Sequence, residues 1–181
     1  NTGRSHFKHR LAVLAESNAQ LQEALSSYAG GKQTSAIVSG VVKSRTRPKI
    51  VFLFTGQGSE YVDMGRQLYE TQSTFRQALD ECAVLMETDL EQPLLSVLYP
   101  EDSQSSLIHQ TIYAQLSLFA LEYALYRLWQ SWGIVPDAVM GHSLGEYVAA
   151  VAARVMSLED GVRLVTARAK LMQSWPARGE M

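Results

Sequence analysis

The chain is poor in several residue types, and each shortage excludes a class of protein. Its 181 residues contain one cysteine, Cys82. A single thiol excludes an internal disulfide framework and a zinc site built on cysteines, and it fits a reducing, cytoplasmic setting. Neither charge is in large excess: 16 Lys and Arg stand against 18 Asp and Glu, a net charge of -2. Without a basic surplus, nucleic-acid binding through a charged face is not expected. No apolar run reaches the roughly 18 residues that a membrane span needs. The polar start, Asn1 to Arg10, has no apolar core of a secretory signal. The first residue is Asn rather than Met, and Met181 follows directly on a helical stretch, so a segment of a longer protein is expected. What the chain does have is apolar residues, 46% against 19% charged. That suffices to bury a core in one ordinary domain, or in a small module plus part of a larger one.

The clearest internal boundary is the basic, proline-bearing stretch Lys43 to Lys49. It divides the chain into 1–47 and 48–181. The first part reads as a small βαβ-like unit. His9–Ala15 is a strand, Ser17 or Asn18 caps a helix carrying Leu21, Leu25 and Tyr28, Gly30 and Gly31 end it, and Ala36–Val42 is a second strand. In the second part Ile50–Phe54 is short, β-branched and aromatic, as a strand buried on both faces should be. Helices are predicted over 64–69, 73–88 (capped by Ser73 or Thr74), 110–132 and 144–155. Ser157 caps a last one, running to Gln173. Pro93–Pro100 reads as a connector and Ala138–Met140 as a strand. Cys82, inside a helix, reads as a buried, inert thiol. Alternating strands and helices imply an α/β fold, a parallel sheet with helices on both faces.

Gly141-His142-Ser143-Leu144-Gly145 matches G-x-S-x-G between a strand and a helix. A serine on such a turn stands clear of the backbone, and the following helix aims its free N–H groups and positive dipole end at it. The Leu144 N–H would be one donor to an oxyanion formed there. The bland alternative is a chance pentapeptide. A nucleophilic serine also needs a base. His142 neighbours Ser143 but should diverge from it, to pack or hydrogen-bond below the turn. His6 and His9 belong to the leading unit, and His109 starts the long helix. None is a convincing base. In the last helix, Leu164, Val165, Leu171 and Met172 span one arc with Arg168 near its middle, and Arg163, Thr166, Lys170 and Gln173 lie opposite. A guanidinium turned to a core calls for an anion. Periodicity alone leaves open whether that is an internal carboxylate, a substrate carboxylate, or none, with the side chain snorkelling.

Thr55-Gly-Gln-Gly-Ser59, Gly141-His-Ser-Leu-Gly-Glu146 and Arg168-Ala-Lys-Leu-Met-Gln173 together resemble the acyltransferase domain of modular type I polyketide synthases. They are similar also to the malonyl-CoA:acyl carrier protein transacylases of fatty-acid synthesis. The resemblance covers 48–181. Residues 1–47 look like the linker between ketosynthase and acyltransferase. The resemblance implies part of an α/β-hydrolase-like large subdomain and ping-pong transfer of an extender unit from malonyl-CoA, through an acyl-serine on Ser143, to the phosphopantetheine thiol of an acyl carrier protein. No cofactor is expected to be bound permanently. Gln57 would supply the second oxyanion N–H beside that of Leu144, and Gly56 and Gly58 would let their loop approach closely. Arg168 would clasp the malonyl carboxylate, and Gln115 and His142 would border the substrate. An aliphatic residue at 144 resembles malonyl-selective rather than methylmalonyl-selective domains. Glu60, Asp63 and Leu116 depart from the common glutamine, glycine and proline. The family's catalytic histidine and small subdomain are expected beyond Met181, so residues 1–181 alone are expected to be inactive. Implied partners are the carrier protein and an adjacent ketosynthase.

Two other functions fit parts of this pattern. A hydrolase-type thioesterase or esterase also uses an elbow serine, but an ordinary lipase pocket has no use for Arg168. A non-catalytic segment could instead dock neighbouring domains, with Leu21, Leu25 and Tyr28 as its apolar face, although packing of these three on the adjacent acyltransferase part is the reading preferred.

Overall fold

A helix that is apolar around its whole circumference has to sit in the middle of something. The computed structural model describes residues 5, 7–32, 34–43, 46–101 and 107–175. The chain divides into two compact units, Asn1–Pro48 and Lys49–Met181. In the larger unit α5 (Thr111–Ser131) is that central helix. It packs against α3 (Ser73–Met86), α4 (Leu94–Leu98), α6 (Gly145–Ala152) and α7 (Leu158–Ser174). Phe75, Leu79, Leu98, Leu116, Phe119 and Val165 are fully buried between these helices. Each large apolar side chain buried in this way contributes about 1.5–3 kcal/mol. Cys82 lies in the same core, and burial pushes its thiol pKa well above the ordinary value.

Strands β3 (Val51–Phe54) and β4 (Ala138–Gly141) pair in parallel, in a register running from Val51 opposite Ala138 to Phe54 opposite Gly141. A parallel pair needs a long crossover, and α2 (Arg66–Thr71) through α5 supply it. Alternate residues face opposite ways. Phe52 meets the Tyr126 ring of α5 edge-on at 6.4 Å, while Leu53 and Met140 are 73% and 62% exposed on the other face. The expectation that Ile50–Phe54 is buried on both faces therefore holds for one face only, because the described helices leave the Leu53 side open.

The smaller unit corrects a second expectation. Its strands β1 (His9–Val13) and β2 (Ile37–Val41) pair antiparallel, so it is not a βαβ unit. The reason lies at one end of the pair: the Leu14 N–H donates to the Ala36 carbonyl at 2.8 Å. The chain thus leaves and re-enters the ladder at the same end, and α1 (Asn18–Ala29) sits inside the loop of a hairpin. Ser17 caps α1 as expected, accepting from the Gln20 N–H at 3.2 Å. Leu21, Leu25 and Tyr28 are 38%, 41% and 44% exposed.

Other differences are local. Residues 93–100, read as a connector, contain α4. Neither Ser73 nor Thr74 caps α3. Its N-cap is Gln72, which makes no side-chain cap, and Ser73 is already helical. On α7 the buried face is Leu158, Gly161, Val162, Val165, Thr166 and Ala169, whereas Leu164, Leu171 and Met172 are exposed. Thr166, expected outside, is inside. Arg168 lies at the border between the core face and an exposed apolar stripe, not in the middle of a buried arc. Ser157 caps α7, its Oγ accepting from the Asp160 N–H at 3.1 Å. No described helix is long and apolar enough to cross a membrane.

Candidate active site

Both parallel strands end at the same place, and the two loops that follow them build the site. After β4 the chain turns through His142, Ser143 and Leu144 into α6. Ser143 has φ +54°, a left-handed conformation uncommon for a residue with a side chain. The His142 N–H donates to the Phe54 carbonyl at 3.0 Å, and the Gly145 N–H closes the turn on the His142 carbonyl at 2.9 Å. A Cβ on Gly141 would lie 2.1 Å from the Gly145 carbonyl carbon, and one on Gly145 would lie 2.4 Å from the Phe54 oxygen. These are backbone neighbours that cannot rotate away. The glycines of G-x-S-x-G are thus a packing requirement here.

The turn sends successive side chains apart. Leu144 is fully buried, while Ser143 and His142 are exposed. The His142 ring lies against Gly56, whose added Cβ would sit 3.0 Å from it. It therefore flanks the neighbouring loop rather than packing below the turn. Arg168 reaches over from α7. Its Nη2 donates to Ser143 Oγ at 2.8 Å and its Nη1 to Gln115 Oε1 at 2.6 Å, with the guanidinium 5.9 Å from the Tyr147 ring centre. Gln115 is fully buried in α5, and its Nε2 donates to Gln57 Oε1 at 3.1 Å and to Met172 Sδ at 3.3 Å. Ser143, Arg168, Gln115 and Gln57, chosen from four separate stretches of sequence, thus form one hydrogen-bonded set.

The loop Thr55–Ser59 carries Gln57. Glu60, which stands where a glutamine is common, accepts the Gly58 N–H at 2.7 Å through its Oε2. Asp63, which stands where glycine is common, has φ +66°. Aspartate is among the few side-chain-bearing residues that tolerate this region. Among the described residues, Arg168 is the side chain that touches Ser143 Oγ. It cannot act as a base. His109 is exposed in the short turn Leu107–His109 that precedes α5, His9 is in β1, and His6 lies outside the described residues.

One residue of this neighbourhood escapes the sequence reading. Glu122 of α5 is 8% exposed and accepts two hydrogen bonds on Oε1, from the Thr55 N–H at 2.6 Å and the Thr55 hydroxyl at 2.7 Å. Burial pushes its carboxyl pKa up, and the Thr55 bonds pull against that. A usable signal existed: an acidic residue inside the apolar stretch Leu118–Leu125, two helical turns after Gln115 and on the same face.

Known proteins share this architecture. The acyl transferase domain family matches residues 51–181. The chain belongs to that family. Residues 1–25 match a second family, CurL-like, PKS C-terminal. Polyketide synthase GfsA of Streptomyces halstedii is 44% identical over 99% of this chain, which spans 2% of that protein. The solved acyl transferase domain of ZmaA is 40% identical with a TM-score of 0.84, over 97% of this chain and 40% of that one. The holo PlMCAT:AntF complex, a type II PKS acyl-carrier protein with its malonyl-transacylase, is 30% identical with a TM-score of 0.63, over 71% of this chain and 40% of the solved one. This chain spans about two fifths of the length of each of those two solved chains.

Proposed function

We propose that Ser143 carries an acyl group from a coenzyme A thioester to the phosphopantetheine thiol of an acyl carrier protein in polyketide assembly, and that malonyl is the preferred group. The observation that carries this reading is the 2.8 Å contact between Arg168 Nη2 and Ser143 Oγ. Only a methylene separates the two ends of a malonyl thioester. A cation beside the nucleophile is therefore where its free carboxylate would lie when the serine attacks the other end. The planar guanidinium suits a carboxylate, and Gln115 holds its far nitrogen in place.

In this scheme Ser143 Oγ attacks the thioester carbonyl and loses its proton to a base. The C–S bond breaks, and the coenzyme A thiol departs. The base's proton goes with the departing sulfur. The carrier thiol then gives its own proton to the base as it attacks the acyl-serine, the C–O bond breaks, and that proton passes to Ser143 Oγ. Each tetrahedral oxyanion would be met by the backbone N–H groups of Leu144 and Gln57, with the N-terminal end of α6 favouring the negative charge. The buried aliphatic Leu144 supports malonyl over methylmalonyl. The malonyl-transacylase in complex with its carrier protein, among the similar structures, supports both donor and partner. A thioesterase would use the same serine, but an apolar acyl pocket gives Arg168 no task.

The test is covalent labelling of the full-length protein with a malonyl thioester, read by mass spectrometry. The wild type should gain a malonyl group on Ser143, and Ser143→Ala should gain none. Labelling that survives the substitution would remove the nucleophile assignment. An acyl-serine hydrolysed within one turnover, faster than any transfer to a thiol, would favour the thioesterase.

A further inference from the structure

We infer that Glu122 is a positioning residue for the loop that carries Gln57, holding that loop's N–H groups at the distance the oxyanion requires. The loop leaves β3 at Thr55, and both donors of Thr55 converge on one carboxylate oxygen of Glu122, 67 residues away in sequence. Hydrogen bonds to an ionised acceptor are the stronger kind. On its other side the same backbone lies against the elbow: a Cβ on Gly145 would be 2.6 Å from the Thr55 carbonyl oxygen. Thr55 is thus clamped between a carboxylate and a glycine, two residues before Gln57. Ser59 Oγ, 3.0 Å from Thr55 Oγ1, ties the far end of the loop to the same point.

A structural reading alone leaves one fact unexplained. Glu122 is almost wholly buried, and its Oε2 has no partner among the described residues. A buried acid with half its acceptors idle is a costly way to join a loop to a helix. The cost makes sense if the position of Thr55 matters more than the stability of the contact. Gln115 and Glu122 stand two turns apart on one face of α5, about 10 Å along its axis. One rigid helix thereby sets the arginine, through Gln115, and the oxyanion loop, through Glu122.

The kinetic part of the test rests on the acyl-transfer reading, so a second readout does not. In the full-length protein, Glu122→Leu should slow acylation of Ser143 by a malonyl thioester about tenfold or more, with KM changed much less, and Glu122→Gln should recover most of the loss. Independently, amide hydrogen exchange at Thr55 and Gln57 should quicken about tenfold in Glu122→Leu while amides around Phe119 keep their protection. Acylation and loop exchange both at wild-type values in Glu122→Leu would overturn the inference. A uniform rise in exchange across α5, with KM and kcat falling together, would also overturn it, since it marks a merely structural residue. If Glu122→Leu does not fold, Thr55→Val removes one of the two bonds and should give the same pattern at smaller amplitude, and no change there overturns the inference. If the wild type takes no malonyl label, the acyl-transfer reading falls and the exchange experiment alone decides this one.

Discussion

The two loops that make the site are held in opposite ways. The elbow is held by backbone against backbone: Gly141 presses on the elbow's own chain and Gly145 on that of Phe54 and Thr55, Ser143 takes a left-handed φ, and the turn closes on itself through the Gly145 N–H. The Thr55–Ser59 loop is held by side chains, two of them from distant α5, with Glu122 at its start and Gln115 at Gln57, and one from its own neighbour, Glu60, at Gly58. The first arrangement tolerates no added atom. The second tolerates substitutions and loses accuracy gradually. Placement of the Ser143 hydroxyl is thereby all-or-none, whereas the Gln57 loop is adjustable.

The sharpest way to break this contrast is Gly145→Ala. Its methyl would meet the Phe54 and Thr55 carbonyl oxygens, and neither can swing aside. A loss of roughly 3 kcal/mol or more is expected in urea unfolding, and a loss below about 1 kcal/mol would show that the elbow is as yielding as its neighbour. Next comes Arg168→Ala. Removing charged hydrogen bonds to a carboxylate should lower kcat/KM for a malonyl thioester by about 10- to 100-fold. It should do so with little effect on an acetyl thioester, and equal losses for both would detach Arg168 from the cargo. The smallest effect is one of pH. Burial raises the Glu122 carboxyl above its ordinary value. Between the ordinary and the raised value the native state holds more protons than the unfolded state, so stability falls as pH climbs through that window and levels off above it. In Glu122→Gln this slope should flatten, as read from thermal midpoints across mildly acidic to neutral pH. An unchanged slope would mean that the Thr55 bonds cancel the burial.

What could be read from the sequence follows the same division. Contacts made by backbone rules leave local marks, and these were legible: G-x-S-x-G between strand and helix, Ser157 three residues before Asp160, and an uninterrupted apolar helix ending before Gly133. The periodicity marks Arg168 for an imperfect reason. Its arc is half solvent-facing, because the core of α7 follows Leu158, Val162, Val165 and Ala169, and a hydrophobic residue's presence does not say which of two apolar stripes is covered. Glu122 is marked in the sequence only as an acid inside an apolar stretch, and nothing near it in the chain announces its partner 67 residues away. The antiparallel pairing of β1 and β2 was missed because strand–helix–strand order does not say at which end the helix rejoins the ladder.

The left-handed backbone at residue 143 filters which hydroxyl-bearing residue can stand there. Threonine has a hydroxyl of similar reactivity and serves as a nucleophile elsewhere, but its second branch at Cβ is badly strained at positive φ. Cysteine and alanine fit the turn, though only cysteine keeps a nucleophile. The choice of serine over threonine in this site is thus settled by a torsion angle of the main chain before any question of acidity or leaving group arises.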